Sequence, residues 1–200
     1  MTRNDPRIDL PRAAIKALNM PRRESPQEPH GERIGVTPSQ ASRSGTLTFE
    51  GDYATLTFER RLRHRVERVW EAITEPEHLA RWYLTKARIE AREGGSIEYL
   101  TGPAQVHVTG KILIWEPPRV FEHEWNVEPR KDLPTGEKTI VRWELTHEGD
   151  GTVLRFTHRR LTRQTAVVFA GGMHGFLDRL EDQLDGVPRE IGRASCRERV

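Results

Sequence analysis

Three polar side chains interrupt otherwise apolar strand faces, and they are where this chain is equipped for chemistry: Tyr99, His123 and His158. Successive strand residues point to opposite faces, so Phe121, His123 and Trp125 share one side and Glu122 and Glu124 the other. By the same alternation Leu154, Phe156 and His158 stand opposite Arg155 and Thr157, and Val141, Trp143 and Leu145 opposite Arg142 and Glu144. Ile97, Tyr99, Ile112 and Ile114 extend the apolar wall. A mostly apolar wall with a few polar tips is the composition of a small-molecule pocket. It is also the composition of a packed core, in which buried histidines are hydrogen-bonded structural residues.

General acid–base work by His123 or Tyr99 is the one catalytic chemistry this set offers. Other classes find no support. No Gly-x-Ser-x-Gly motif occurs, and the only cysteine, Cys196, lies in the last ten residues. The eight histidines are scattered, with no pair at ligand spacing beside a carboxylate. Glu148-Gly149-Asp150-Gly151 reads as a hairpin turn, too short for a calcium loop. Gly171-Gly172 lie inside a helical stretch with no strand before them, which excludes a phosphate loop. Their cost in helix propensity implies a close approach of the helix backbone to the sheet. The expectation is therefore no catalytic residue, no metal and no cofactor.

The elements that must position the wall are legible from periodicity. Phe169, Met173, Phe176, Leu177, Leu180 and Leu184 recur at steps of three and four, one stripe of a long helix. His174, Asp178, Arg179, Glu181, Asp182 and Gln183 take its wet side. Ahead of it, Tyr53–Leu62 reads as a strand, Val66–Thr74 as a short helix, and Pro76–Trp82 as a second one with proline in its first turn. Strands follow over Ala87–Ala91, Ser96–Leu100, Val106–Trp115, Val120–Val127, Thr139–Thr146 and Thr152–His158. Arg160–Arg163 reads as a linker into the long helix.

The two ends differ from the middle. Residues 1–45 are rich in Pro, Arg, Ser and Glu and too poor in apolar residues to offset their ordering entropy; only Ile8–Asn19 has helical promise. They read as a disordered extension, though a mis-called start codon gives the same composition. Ile191–Val200 reads as a translated sequencing-library adapter, left out of fold reasoning together with Cys196. That tail carries three arginines against one glutamate, and residues 1–45 eight basic residues against five acidic, so residues 46–190 are mildly acidic. The basic balance belongs to the ends, and nucleic acid is not an expected partner. No secretory h-region or long apolar run appears, so neither membrane insertion nor export is expected, and the cytoplasm is the expected location.

Several short motifs fall in a characteristic order: Val69-Trp70, Pro76-Glu77 leading to Trp82, Gly94-Gly95, Gly110, Trp115-Glu116-Pro117-Pro118-Arg119, Trp125, Gly151-Thr152, and Gly172 through Leu180. Together, over about residues 48–186, they resemble the START-like (SRPBCC) helix-grip superfamily, in the branch of the activator of Hsp90 ATPase homologue 1 C-terminal domain. Met173 departs from the pattern, since relatives usually carry Trp there. The resemblance implies an α+β fold: a curved antiparallel sheet of about seven strands wrapped around a long C-terminal helix, with two short helices after the first strand. It implies a cavity between helix and sheet. The sheet side would be Tyr99, Ile112, Phe121, His123, Trp125, Trp143, Phe156 and His158. The helix side would be Phe169, Met173, Phe176, Leu177 and Leu180. The leading expectation is a module binding an apolar or aromatic small molecule. Two alternatives are a modulator of an Hsp90-type chaperone, acting in stress response, and an enzyme of the cyclase or dehydratase kind using the same cavity. The chaperone reading is the weaker, because eukaryotic relatives add a folded N-terminal domain and residues 1–45 do not read as one. Oligomeric state and ligand identity are not legible.

Overall fold

A computed structural model describes residues 45–102, 105–131 and 133–187. The expectations for residues 1–44 and for the tail at 191–200 lie outside the described residues. Eleven elements follow in order: β1 (Thr46–Glu50), β2 (Tyr53–Leu62), α1 (Val66–Thr74), α2 (Pro76–Trp82), β3 (Thr85–Ile89), β4 (Ser96–Thr101), β5 (Val106–Glu116), β6 (Val120–Val127), β7 (Glu137–Glu148), β8 (Gly151–Thr162) and α3 (Arg163–Leu184). All strands form one antiparallel sheet in the order β1-β2-β8-β7-β6-β5-β4-β3. The expected α+β helix-grip architecture is what the chain adopts, with α3 packed across a curved sheet.

Four local readings are corrected. The described sheet has eight strands, because Thr46–Glu50 pairs with β2 in a hairpin turning at Gly51, whose φ is +59°. Four of those five residues are exposed, so the strand carries little of the alternation that marks a half-buried one. The two short helices consequently follow the second strand. Next, β3 begins two residues earlier than expected, at the buried Thr85, whose hydroxyl bonds Thr101 Oγ1 at 2.7 Å. Third, no linker precedes α3. The strand β8 continues to Thr162 opposite Tyr53, with Leu161 fully buried against Ala54. Its run of arginines masked that strand signal, and His158 accordingly sits well inside β8. Fourth, a bulge between Ile112 and Ile114 shifts the parity of β5. Trp115, not Ile114, therefore joins Phe121 on the inner face, with ring centroids 5.1 Å apart.

The inner face of the sheet, α1, α2 and the dry stripe of α3 make one core. The two short helices are locked by buried hydrogen bonds: Trp82 Nε1 donates to Ala72 O at 2.8 Å and Thr74 Oγ1 to Trp70 O at 2.7 Å. Where β8 ends, Thr162 caps α3 by accepting from Thr165 N, and the buried Glu137 carboxylate accepts from Thr162 N at 2.8 Å. A carboxylate there also complements the positive end of the helix dipole. Arg163 then reaches back to the β1–β2 hairpin, donating to Gly51 O at 3.0 Å and lying 4.7 Å above the Phe49 ring.

The glycines of α3 do not serve a close approach, contrary to expectation. A Cβ added at Gly171, Gly172 or Gly175 would meet no atom within 4 Å. Their helix-propensity cost is therefore uncompensated by packing. Gly171→Ala and Gly175→Ala are each expected to stabilise the fold by about 0.5–1 kcal/mol, read as an upward shift in thermal midpoint.

Candidate ligand cleft

Eight sheet-side residues proposed for a cavity are all buried on the inner face, and most touch one another directly. Phe121 and His123 rings lie 4.7 Å apart, Trp143 and Phe156 4.6 Å, and Tyr99 and His123 5.7 Å edge to face. From the helix, Leu177 and Leu180 are buried to 1 % or less and close this region from above. Around Ile112, Phe121, Trp143 and Phe156 the space between helix and sheet is a solid core.

Open space lies at one end of that core. A cleft of about 340 Å³ runs between the first half of α3 and the ends of β4, β5 and β6. Its lining is almost wholly apolar: Tyr83, Val106, Trp125, Val127, Leu133, Val168, Phe169, Met173 and Phe176, with Gly102 and Gly172 leaving bare backbone. Thr101, Arg130, Glu137 and Thr165 supply the polar groups. Its volume is at the lower end of the roughly 300–1,000 Å³ of small-molecule sites, and its composition is of that kind.

Four of the thirteen expected residues line this cleft: Trp125, Phe169, Met173 and Phe176. The other nine, Tyr99, Ile112, Phe121, His123, Trp143, Phe156, His158, Leu177 and Leu180, pack behind or beside it. Two lining residues that the sequence reading missed were within its reach. Val127 continues the face of His123 and Trp125 by one alternation, and Val106 stands two residues before the buried Val108. Tyr83 carries no periodic signal, because it is the C-terminal cap of α2 rather than part of a repeat. Leu133 lies in a connecting segment.

Behind the lining, two histidines are held neutral. His123 is pushed down to about 4 by burial, partly offset by its Nδ1–H donating to Glu124 O at 2.9 Å. His158 is pushed down to about 3 by burial and by the nearby His123. Its Nε2 lies 2.7 Å from Thr139 Oγ1, and that hydroxyl donates to Trp125 O. The single hydroxyl proton is thus engaged, so His158 carries its proton on Nε2 and leaves Nδ1 as an acceptor. A second, polar depression of about 600 Å³ at the far end of α3 is walled by paired charges, including His64 Nε2 2.7 Å from Asp185 Oδ1 and Arg61 against Glu148. Its solvated ion pairs offer no apolar wall and no buried counter-charge. Among the described residues no group of His, Cys, Asp and Glu is arranged to hold a metal ion, and no helix is long and apolar enough to cross a membrane.

Comparison with known proteins bears on the same region. A family model described as activator of Hsp90 ATPase homolog 1-like protein matches residues 63–185. CalU16 from Micromonospora echinospora is similar at 26% identity over 70% of this chain and 83% of that one, with a TM-score of 0.56. Protein MLL2253 from Mesorhizobium loti, at 24% identity, 68% and 99% coverage and a TM-score of 0.60, shares the fold. So does Ms6760 from Mycobacterium smegmatis, at 18% identity, 71% and 98% coverage and a TM-score of 0.54. Among curated proteins none matches.

Proposed function

This chain belongs to the activator of Hsp90 ATPase homolog 1-like family, and from that premise we propose that it is a binding module holding an apolar or aromatic small molecule in the cleft beneath α3. The observation that carries this reading is the cleft itself: apolar, open at one end, and bounded elsewhere by packed rings. Burying a ligand there removes apolar surface on both sides, at roughly 25 cal/mol per Å². Met173, where relatives usually carry Trp, adds a flexible thioether that adapts its shape to what is bound. The polar rim is already committed. Glu137 accepts from Thr162 N and from Thr165 Oγ1, so its work is to fix the start of α3.

The acid–base reading is less well supported, because Tyr99, His123 and His158 stand behind the lining rather than on it.

Gly172 makes the test clean. It lines the cleft, and a Cβ there meets nothing within 4 Å, so the side chain of Gly172→Leu starts out in open space and takes up cleft volume. Replacing glycine inside a helix also removes a propensity cost. The neutral fluorescent probe N-phenyl-1-naphthylamine is expected to bind the natural chain with enhanced emission. The Gly172→Leu variant is expected to lose at least tenfold in affinity for it while melting no lower. Equal binding by both would sink the cleft as the site.

A further inference from the structure

The two edges of the sheet are built differently. Strand β3 ends it on one side and β1 on the other, and an edge strand presents a row of unpaired backbone groups. Such edges are ordinarily defended by charge, proline or a bulge. The edge at β3 carries two exposed cations, Lys86 and Arg88, on either side of Ala87. Laying a second copy of β3 against it about a two-fold axis at Ala87 sets Lys86 opposite the copy's Arg88, and Arg88 opposite the copy's Lys86. Like charges directly opposite are destabilising, so that edge refuses itself.

The edge at β1 has no such defence. Thr46-Leu47-Thr48-Phe49-Glu50 holds no lysine, arginine or proline, and it pairs with β2 without a register shift. Its hairpin loop is only Gly51-Asp52, so Glu50 and Tyr53 exchange both backbone bonds, and by alternation Thr48 and Thr46 also turn toward β2. Leu47 and Phe49 consequently aim their N–H and C=O groups away from the sheet. Their side chains lie on the inner face, opposite Leu56 and Ala54, and Phe49 is 44% exposed despite the Arg163 guanidinium above it.

The strand is also complementary to itself. With the axis at Thr48, the copy's Phe49 falls opposite Leu47 and its Leu47 opposite Phe49. Those are the positions whose backbone groups face outward, so each pair exchanges hydrogen bonds in both directions and sets apolar side chain against apolar side chain. Thr48 meets its own copy on the axis. Each Thr46 hydroxyl stands beside the copy's Glu50 carboxylate, to which it can donate, and no like charges are opposed.

We propose that β1 is a self-association edge: a second copy of this chain pairs with it through its own β1, antiparallel and two-fold symmetric about Thr48, joining two eight-stranded sheets into one. An isologous contact of this kind closes at two copies. A strand this short buries less than the ~1,200 Å² of stable complexes, so the dimer is populated at chain concentrations of about 0.1–1 mM.

Sedimentation equilibrium of the full chain is the test, under reducing conditions so that Cys196 cannot cross-link copies. Thr48 is exposed, so Thr48→Lys and Thr48→Glu leave the fold in place, which thermal melting checks. The natural chain is expected to approach twice its monomer mass at the top of the range. Each variant alone is expected to associate at least about tenfold more weakly, because like charges then meet on the axis. An equal mixture of the two sets opposite charges there and is expected to regain the natural affinity. If one variant melts lower, the other still decides, since either charge alone breaks the pairing. A natural chain that stays monomeric to about 1 mM overturns the proposal. So does a dimer that neither variant weakens, or one that both weaken and the mixture does not restore. A mass that climbs past two copies with concentration marks an open chain of β1-to-β3 contacts and overturns it as well.

Discussion

Acidification from pH 7 to pH 4 is expected to cost this domain about 6 kcal/mol of folding stability through two histidines alone, roughly 3 kcal/mol each. The cause is placement. His123 and His158 flank Val141 from the two neighbouring strands, both facing the core at 1% exposure. Burial holds them at about 4 and about 3, against 6.5 for the free side chain. Below pH 6.5 the unfolded chain therefore binds protons that the folded one refuses, and stability falls steadily as pH drops toward the folded values. Above pH 6.5 both states are neutral at these sites and the effect vanishes. Total stabilities of about 5–15 kcal/mol leave little in reserve at pH 4. Urea unfolding at pH 7, 6, 5 and 4 measures the slope, and His158→Gln isolates one contribution, since its amide can still donate to Thr139. That variant should lose about 3 kcal/mol less across the window. An unchanged slope would mean that His158 is protonated in the folded protein.

The second large effect is expected at Arg60, a cation 2% exposed on the inner face of β2 between Phe58 and Leu62. Its Nη2 donates to His174 Nδ1 at 3.1 Å, its Nε lies 3.3 Å from Glu181 Oε1, and its guanidinium sits 5.4 Å from the Phe58 ring centre. The bond to Nδ1 places the His174 proton on Nε2, 3.7 Å from Asp178. Arg60 thus joins the strand to the wet side of α3 through three helix residues. Truncating one partner of a buried charge network typically costs about 3–5 kcal/mol. Glu181 and Asp178 are 21% and 30% exposed and can regain water, so Arg60→Ala is expected near the lower figure, about 3 kcal/mol. Arg60→Met refills the volume and is expected to cost clearly less. Denaturant titration decides: equal losses would assign the whole effect to the charge network and none to packing of the stem, and a loss under about 1 kcal/mol in the alanine variant would remove the network from the stability account.

Periodicity made the frame of this molecule legible. Met173, Leu177, Leu180 and Leu184 are buried because their spacing is helical, and Val141, Trp143, Phe156 and His158 because theirs is alternate. Where the signal depends on a neighbour rather than on spacing, it was lost. The bulge at Ile112–Ile114 exchanges Ile114 for Trp115 on the inner face, and both are apolar, so nothing in their types announces it. The strand Thr46–Glu50 is set by its hairpin partner. The end of β8 is hidden under arginines whose side chains leave a paired backbone. Family membership was readable from the order of short motifs across the domain. The cleft was not, because it is a matter of volume. Trp125, Phe169, Met173 and Phe176 are of the same types as the residues that fill the solid core a few ångströms away. What distinguishes their surroundings is the missing side chain of Gly172 and the place where the strands β4, β5 and β6 run out.

The direct joint between β8 and α3 makes the start of the helix the anchored side of the cleft. The first turn of the helix is clamped on three sides: by the strand it continues, by Glu137 and its Thr162 partner, and by Arg163 fastened to Gly51 O and Phe49. That end of α3 cannot swing without breaking all three. The opposite side of the cleft is made by Gly102, by Val106 at the start of β5, and by Arg130 and Leu133, which bridge to each other within one connecting segment. The start of α3 is therefore the fixed post of the cleft, held by backbone and side chain alike.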